Sequence, residues 1–196
     1  MVSTDSRYQN LVDGLMLPLA VGGHPVLDFC NTRAGWDAAE PREYLTSYEH
    51  LVVWAGEAGL VDESVAARLR HAGDQGVLER ALALRGALYR TCTDPSDDDA
   101  WQAVAAEAHE AAAAAVLVRG EGWVIPEQVG TELPVLALSR AAGTLLESTD
   151  LRTVGRCPGH GCGWLFLDPR RRRRWCVMAV CGNREKARRH ARRTRG

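Results

Sequence analysis

The chain has 196 residues, 25% of them charged and 46% hydrophobic, with a formal net charge of −1, ordinary values for a soluble globular protein and enough length for one substantial domain plus a small appended module. Its polar start, Met1 to Asn10, lacks the basic-then-apolar order of a secretory signal. The longest apolar run, Ala111 to Val118, falls far short of the roughly 18–20 residues a membrane span needs, so no membrane segment and a cytoplasmic location are expected.

From Leu17 to Thr32 two apolar runs flank Gly22-Gly23-His24-Pro25, which predicts a β-hairpin with its tip at or near Gly22-Gly23. Asp28 interrupts the second run, and an unpaired buried carboxylate is costly. It either accepts backbone or arginine hydrogen bonds that lock the hairpin onto the helices, or lines a pocket. His24, Asp28, Asn31 and Thr32 are therefore the candidate ligand pocket. Thr46 or Ser47 can cap a helix running to about Ala58, with Leu51, Trp54, Ala55 and Ala58 on one side and Gly59 placed to end it. Asp62 can cap a second helix to about His71. A third covers roughly Val77 to Tyr89, with Leu78, Leu82, Arg85 and Tyr89 near one face. The fourth, from about Asp98 to Ala114, is rich in alanine and begins in acids that suit its dipole. Val116–Val118 and Trp123–Ile125 flank Gly120-Glu121-Gly122 and predict a second hairpin. A fifth helix is expected around Glu132 to Glu147, and Leu151 to Val154 as an extended link into the tail.

The near-neutral total charge hides an asymmetry. Residues 152–196 hold 14 of the 24 Lys and Arg and only two acids, Asp168 and Glu185, a balance of +12, whereas the preceding residues stand at −13. An acidic body with a basic tail suits a polyanionic partner. Pairing of tail with body is the alternative, and it leaves the neighbouring cysteines unexplained.

Four of the six cysteines fall in that tail, as Cys157-x4-Cys162-x13-Cys176-x4-Cys181. Two pairs of equal spacing describe two short knuckles facing one point, as tetrahedral zinc requires. A redox or disulfide pair and an iron–sulfur cluster are the alternatives. Four thiolates leave no open position for water, so the expected ion is single and structural. His160 then reads as a turn residue, and Cys30 and Cys92 as small buried hydrophobes.

Arg170, Arg171, Arg172, Arg173 and Arg174 lie between the two pairs. After Cys181 a basic helix is expected, with Asn183 as N-cap and Glu185 in the first turn. Ala187, Ala191 and Thr194 share a narrow side that would pack lightly on the zinc core. Arg184, Lys186, Arg188, Arg189, Arg192, Arg193 and Arg195 supply cations for nucleic acid, with Arg184 nearest the bases. Trp164, Phe166 and Trp175 read as the small core that the knuckles wrap, with stacking on bases as the alternative.

Cys157…Cys162-Gly-Trp-Leu-Phe-Leu-Asp168, Arg174-Trp-Cys176 and Cys181-Gly-Asn-Arg184 followed by Lys186-Ala-Arg-Arg together resemble the CGNR zinc finger of bacterial proteins. Leu19 to Thr32, with Gly-Gly-x-x-Val-Leu-Asp-Phe-Cys-Asn-Thr, is similar to the opening of the ABATE domain that usually precedes that finger. The chain departs from the usual finger in carrying Pro169 and five arginines after Asp168. The resemblance implies a stress-induced transcription regulator with a DNA-binding finger.

The fold expected is α+β. A mainly helical body with short β-hairpins spans 1–150 as an ABATE-like sensor or dimerisation domain. Residues 151–196 form a small treble-clef-like or knuckle-type four-cysteine zinc module ending in the basic helix. Function is read as DNA binding by a non-enzymatic regulator, with a small-molecule effector and a homodimer as further partners. RNA binding is one alternative. The other is an enzyme with its active site in the body and a purely structural zinc module, although no nucleophile elbow, phosphate-binding glycine loop or HExxH motif occurs.

Overall fold

The computed structural model describes residues 9–194, so Arg195 lies outside the described residues. The chain opens on a hairpin, β1 (Gln9–Val12) and β2 (Leu15–Pro18), in the register Val12↔Leu15. Its two-residue turn is Asp13-Gly14 with φ of 49° and 82°. Positive φ at both positions matches the right-handed strand twist, and Asp-Gly is the pair that adopts it at least cost.

The expected hairpin over Leu17 to Thr32 is not formed. Pro25–Cys30 is a short helix, α1, whose Val26, Leu27, Phe29 and Cys30 are all fully buried. The physical reason lies just before it. Pro25 takes the first helical position, where a missing N–H costs nothing, and His24 caps the helix by accepting the Val26 N–H on Nδ1 at 3.2 Å. The apolar run is thus two adjacent pairs on one helical face rather than an alternating strand.

A short pairing of β3 (Arg33–Ala34) with β4 (Arg42–Glu43) follows. Four helices then begin on side-chain caps: α2 (Tyr48–Glu57) on Ser47, α3 (Glu63–Leu69) on Asp62, α4 (Gln75–Thr93) on Asp74 and α5 (Asp98–Ala114) on Asp97. The second predicted hairpin is present as β5 (Val116–Val118) and β6 (Gly122–Val124), and α6 (Leu133–Glu147) follows. No helix among the described residues is long and apolar enough to cross a membrane.

The main core lies among α1, α2, α4 and α6, through Leu27, Phe29, Leu51, Leu88, Leu138 and Leu145. Arg85 of α4 is also buried there. It donates to Thr32 Oγ1 at 2.8 Å and is held by both oxygens of Glu43. Because Glu43 is part-exposed, water screens the pair, but removing Glu43 would still leave the buried guanidinium of Arg85 short of its charged partner.

The link into the tail is not extended from Leu151 as expected. Thr149–Thr153 is a 3₁₀ turn opened by Ser148, which accepts the Asp150 N–H at 3.2 Å. Extended chain starts only at β7 (Val154–Arg156), which pairs antiparallel with β8 (Leu165–Leu167). Leu165 belongs to the main core, whereas Phe166 faces a second cluster with Tyr44, Trp164 and the four tail cysteines.

Trp36 packs against both clusters. Its ring stacks on Tyr89 with centroids 3.7 Å apart, its Nε1 donates to Cys30 O at 3.0 Å and its backbone N–H to Cys162 O at 3.2 Å. Tyr89 in turn donates to Gly163 O at 2.9 Å, and Trp164 Nε1 to Arg33 O at 3.1 Å. The cysteine-bearing segment is therefore bolted to β3, Trp36 and α4 by hydrogen bonds as well as by apolar contact.

Candidate metal centre and arginine surface

β7 delivers Cys157, and the turn Pro158-Gly159-His160-Gly161 brings Cys162 back beside it. The Cys162 N–H donates to Gly159 O, and the Cys157 N–H to Trp164 O, each at 2.8 Å. A side chain at Gly159 would place its Cβ 2.8 Å from Cys181 Sγ, so only glycine lets the loop pass so close to the sulfurs. The second pair sits at a helix start. Cys181 lies in a wide turn, Met178–Gly182, that runs into the terminal helix α7 (Asn183–Arg193). A cysteine cluster that combines a hairpin knuckle with a helix start accords with the small treble-clef-like or knuckle-type module the sequence predicts.

All four cysteines are buried, and their sulfurs lie within 4.8 Å of one another. Cys162 and Cys176 are 3.7 Å apart, Cys176 and Cys181 3.8 Å. A disulfide needs about 2.05 Å, so these are free thiols. Four sulfurs placed tetrahedrally around a zinc ion at about 2.3 Å stand about 3.8 Å apart, so the observed spacing fits that ion. The thiols act on one another. Neighbouring thiols of Cys162 and Cys176 hold the Cys157 pKa down at about 7, while Cys157 pushes those of Cys162 and Cys176 well above the usual thiol value. Four thiolates coexist in this space only around a cation. Among the described residues no histidine or carboxylate joins the four sulfurs.

Charged groups surround this cluster in distinct roles. Arg184 Nη2 lies 3.3 Å from Cys181 Sγ, close enough to donate to the sulfur. Glu185 Oε1 accepts the His160 N–H at 3.2 Å, tying the first turn of α7 to the first knuckle. Arg173 donates to Cys176 O at 2.7 Å and to Val21 O at 3.0 Å, with its guanidinium 4.4 Å from the Phe166 ring centroid. Arg174 stands 5.0 Å from the centroid of Trp175, which is half-buried, while Trp164 and Phe166 are buried. Asp168 organises the arginine turn, its two oxygens accepting the N–H groups of Arg172 and Arg173 at 2.8 Å each.

Most of the arginine surface is open. Arg170, Arg171, Arg172, Arg173 and Arg174 are all exposed, as are Lys186, Arg189, Arg192 and Arg193. Arg188 is half-exposed, with its Nε 4.0 Å from Glu185. Two expectations about α7 are corrected. Asn183 is its first residue rather than its cap, and its Nδ2 donates to Ala179 O at 3.1 Å, because the chain enters the helix already coiled by the turn around Cys181. Ala187, Ala191 and Thr194 do not pack on the sulfur cluster. The helix α7 has no buried residue, and Ala191 and Thr194 stand exposed. Two methyl groups and a threonine bury too little apolar surface to hold a helix so cationic against the body.

The candidate pocket residues take separate places. His24 caps α1. Asp28 turns back from α1, and its Oδ1 accepts the N–H groups of Val21 and Gly22 at 2.7 Å each, the backbone-locking role foreseen for it, although the loop it locks precedes a helix. Burial raises the Asp28 pKa, against the pull of those N–H groups and of Arg173. Asn31 and Thr32 are fully buried. Asn31 is bonded to Leu165, and Thr32 donates to Phe29 O at 2.6 Å while accepting from Arg85. His24 and Asp28 line a common cleft that Asn31 and Thr32 do not reach. Cys30 is buried and Cys92 half-buried, and burial raises the pKa of both thiols, that of Cys92 to about 12. Sequence reasoning missed the inward work of Arg173 and Arg184, since charge is legible in a sequence and the carbonyl or sulfur that receives it is not.

A sequence model of the family ABATE, described as "Putative stress-induced transcription regulator", matches residues 23–179. The chain belongs to that family. The match runs through Cys157, Cys162 and Cys176 and stops short of Cys181. No curated protein matches the chain.

Proposed function

We propose that this ABATE protein is a DNA-binding transcription regulator, and not an enzyme, in which Cys157, Cys162, Cys176 and Cys181 hold one structural zinc ion and thereby present an arginine-rich surface to duplex DNA. One observation carries the reading: a four-sulfur site opens directly into a helix that has no buried residue and holds Lys186, Arg189, Arg192 and Arg193 in solvent. When bound, zinc neutralises the thiolates and fixes the two knuckles relative to each other.

The exposed Arg170, Arg171, Arg172, Lys186, Arg189, Arg192 and Arg193, with Arg188, are the groups we assign to phosphates. Such contacts set affinity and position without reading sequence. Arg174, exposed beside Trp175, joins these groups; Arg173, though exposed, spends its donors on carbonyls, and Arg184 works inward on sulfur. Burial of Trp164 and Phe166 removes them as stacking platforms for single-stranded bases, which supports duplex DNA over RNA.

The acidic body, residues 1–150, is the part we read as sensing a small effector and pairing two copies, since one small finger alone gives little affinity. Its excess of acid also keeps non-specific DNA contact confined to the tail. We place the protein in the cytoplasm. Genome-wide crosslinking of the protein to DNA and to RNA in parallel tests the reading. Enrichment of discrete promoter fragments is the expected result; enrichment of transcripts alone, or of neither, sinks it.

A further inference from the structure

We propose that the cleft between the β1–β2 hairpin and helices α1 and α2 binds a small organic cation, an amine carried on an apolar or aromatic body. The cleft has a volume of about 280 Å³. Its walls are apolar, with Val12 and Leu17 from the hairpin and Trp54 from α2, and its ionisable groups are His24, Asp28 and Glu57. Two carboxylates and no lysine or arginine line it, and although Arg173 acts on Asp28 from outside the lining, two carboxylates against one guanidinium still leave a field that favours a positive charge. Trp54, itself only 4% exposed, backs the apolar wall.

The carboxylate of Asp28 is half used. Both of its hydrogen bonds, from Val21 and Gly22, fall on Oδ1, and Oδ2 receives none from the described residues. An ammonium brought to Oδ2 supplies a charged donor where burial disfavours the bare anion. His24 does not oppose it. Its Nδ1 accepts the Val26 N–H, which requires the neutral ring with its proton on Nε2.

The cleft also shares its loop with the arginine segment. Val21 and Gly22 give their N–H groups to Asp28 and their carbonyls to the tail: Val21 O accepts from Arg173, and Gly22 O from the Leu167 N–H at 2.7 Å. A ligand that moves Asp28 therefore acts on a loop one hydrogen bond from Arg173. The proposal rests on the reading of the body as the sensing part of the regulator, and it is independent of whether the tail binds DNA.

Isothermal titration of the zinc-loaded full chain with phenethylamine, 2-phenylethanol and phenylacetate varies charge at nearly constant shape. Saturable one-to-one binding of phenethylamine, at least tenfold tighter than of either control, is expected. Asp28→Asn should weaken it tenfold or more. Because that change also disturbs the loop, Glu57→Gln on the exposed rim serves as the second variant and should weaken it severalfold. No saturable binding of the amine, equal binding of the alcohol, or an unchanged Glu57→Gln variant overturns the proposal. Parallel titration of duplex DNA separates the two readings. A chain that binds duplex and no amine loses only this inference, and one that binds the amine and no duplex loses only the function proposed for its tail.

Discussion

Asn31, at the end of α1, and Leu165, in β8, exchange two hydrogen bonds across 134 residues of sequence: Asn31 Nδ2 donates to Leu165 O at 2.9 Å, and the Leu165 N–H donates to Asn31 Oδ1 at 2.8 Å. The side-chain amide thus takes the place of a third strand at the open edge of a two-stranded sheet, and both partners are fully buried. Here the body and the cysteine module are joined.

Asn31→Ala should therefore cost about 2–4 kcal/mol, the sum of two net hydrogen bonds and the penalty for leaving a buried N–H and C=O unpaired. Denaturant unfolding measures the loss, and hydrogen exchange should show the Leu165 amide losing protection first. A cost below about 1 kcal/mol would mean that water replaces the amide and that the joint is not sealed.

The cap of α1 gives a pH dependence. Burial lowers the His24 pKa, with Asp150 acting weakly the other way, and only the neutral ring can accept the Val26 N–H. The unfolded chain therefore takes up the proton more readily than the folded one. The stabilisation is complete above the unfolded value of about 6.5 and is lost as the pH falls below it. His24 is part-exposed and screened, so the effect should be at the low end of a cap's worth, about 0.5–1 kcal/mol. Asparagine caps without titrating. The stability difference between wild type and His24→Asn should shift in favour of the variant as the pH is taken from about one unit above that value to about one unit below it. A constant difference would remove His24 from the role.

Metal loss should be local. Zinc-finger peptides draw about 10–16 kcal/mol from their metal, and the purified protein should contain one equivalent of zinc that Cys176→Ser abolishes. Because β8 is held by Asn31 and by burial of Leu165, chelation should free the chain after Leu167, including the arginine turn and α7, while β7 and β8 keep their exchange protection. Full protection throughout the tail of a chelated sample would show that the sulfur cluster needs no metal.

The parts legible in the sequence are those governed by neighbours along the chain. Ser47 and Asp62 announce their helices because a cap bonds to an N–H two or three residues on, and the four cysteines announce a centre because short loops fix their reach. Helix α1 is illegible as a periodic pattern, since Val26-Leu27-Asp28-Phe29-Cys30 is too short for its period to show. Its signals are His24-Pro25 at the start and Asp13-Gly14 as the true hairpin turn. The solvent-facing seam of α7 and the inward turn of Arg173 and Arg184 depend on surfaces brought together only by folding.

The arginines separate into two classes by a single set of measurements. Arg189 and Arg193 are exposed on α7, and each phosphate contact contributes about −0.9 to the slope of log affinity against log salt on duplex DNA. Replacing either with Ala should flatten that slope by about one unit and weaken binding to all sequences alike. Arg173→Ala should instead lower stability by about 1–3 kcal/mol, since its charged donors serve the carbonyls of Val21 and Cys176, and should leave the slope nearly unchanged. Arg184→Ala should speed removal of the metal by a chelator, because outer-shell donors to metal ligands are worth about 10–100-fold in metal affinity. The sequence alone sets Arg184 nearest the bases. In that case its loss would cost roughly 1–3 kcal/mol on a preferred site, far less on random DNA, and nothing in metal retention. Salt titrations of wild type and the four variants on both kinds of duplex, with chelation rates alongside, decide between these roles. Wild-type binding that is weak and nearly independent of salt would show that the basic tail serves something other than nucleic acid, and the proposed function would fall with it.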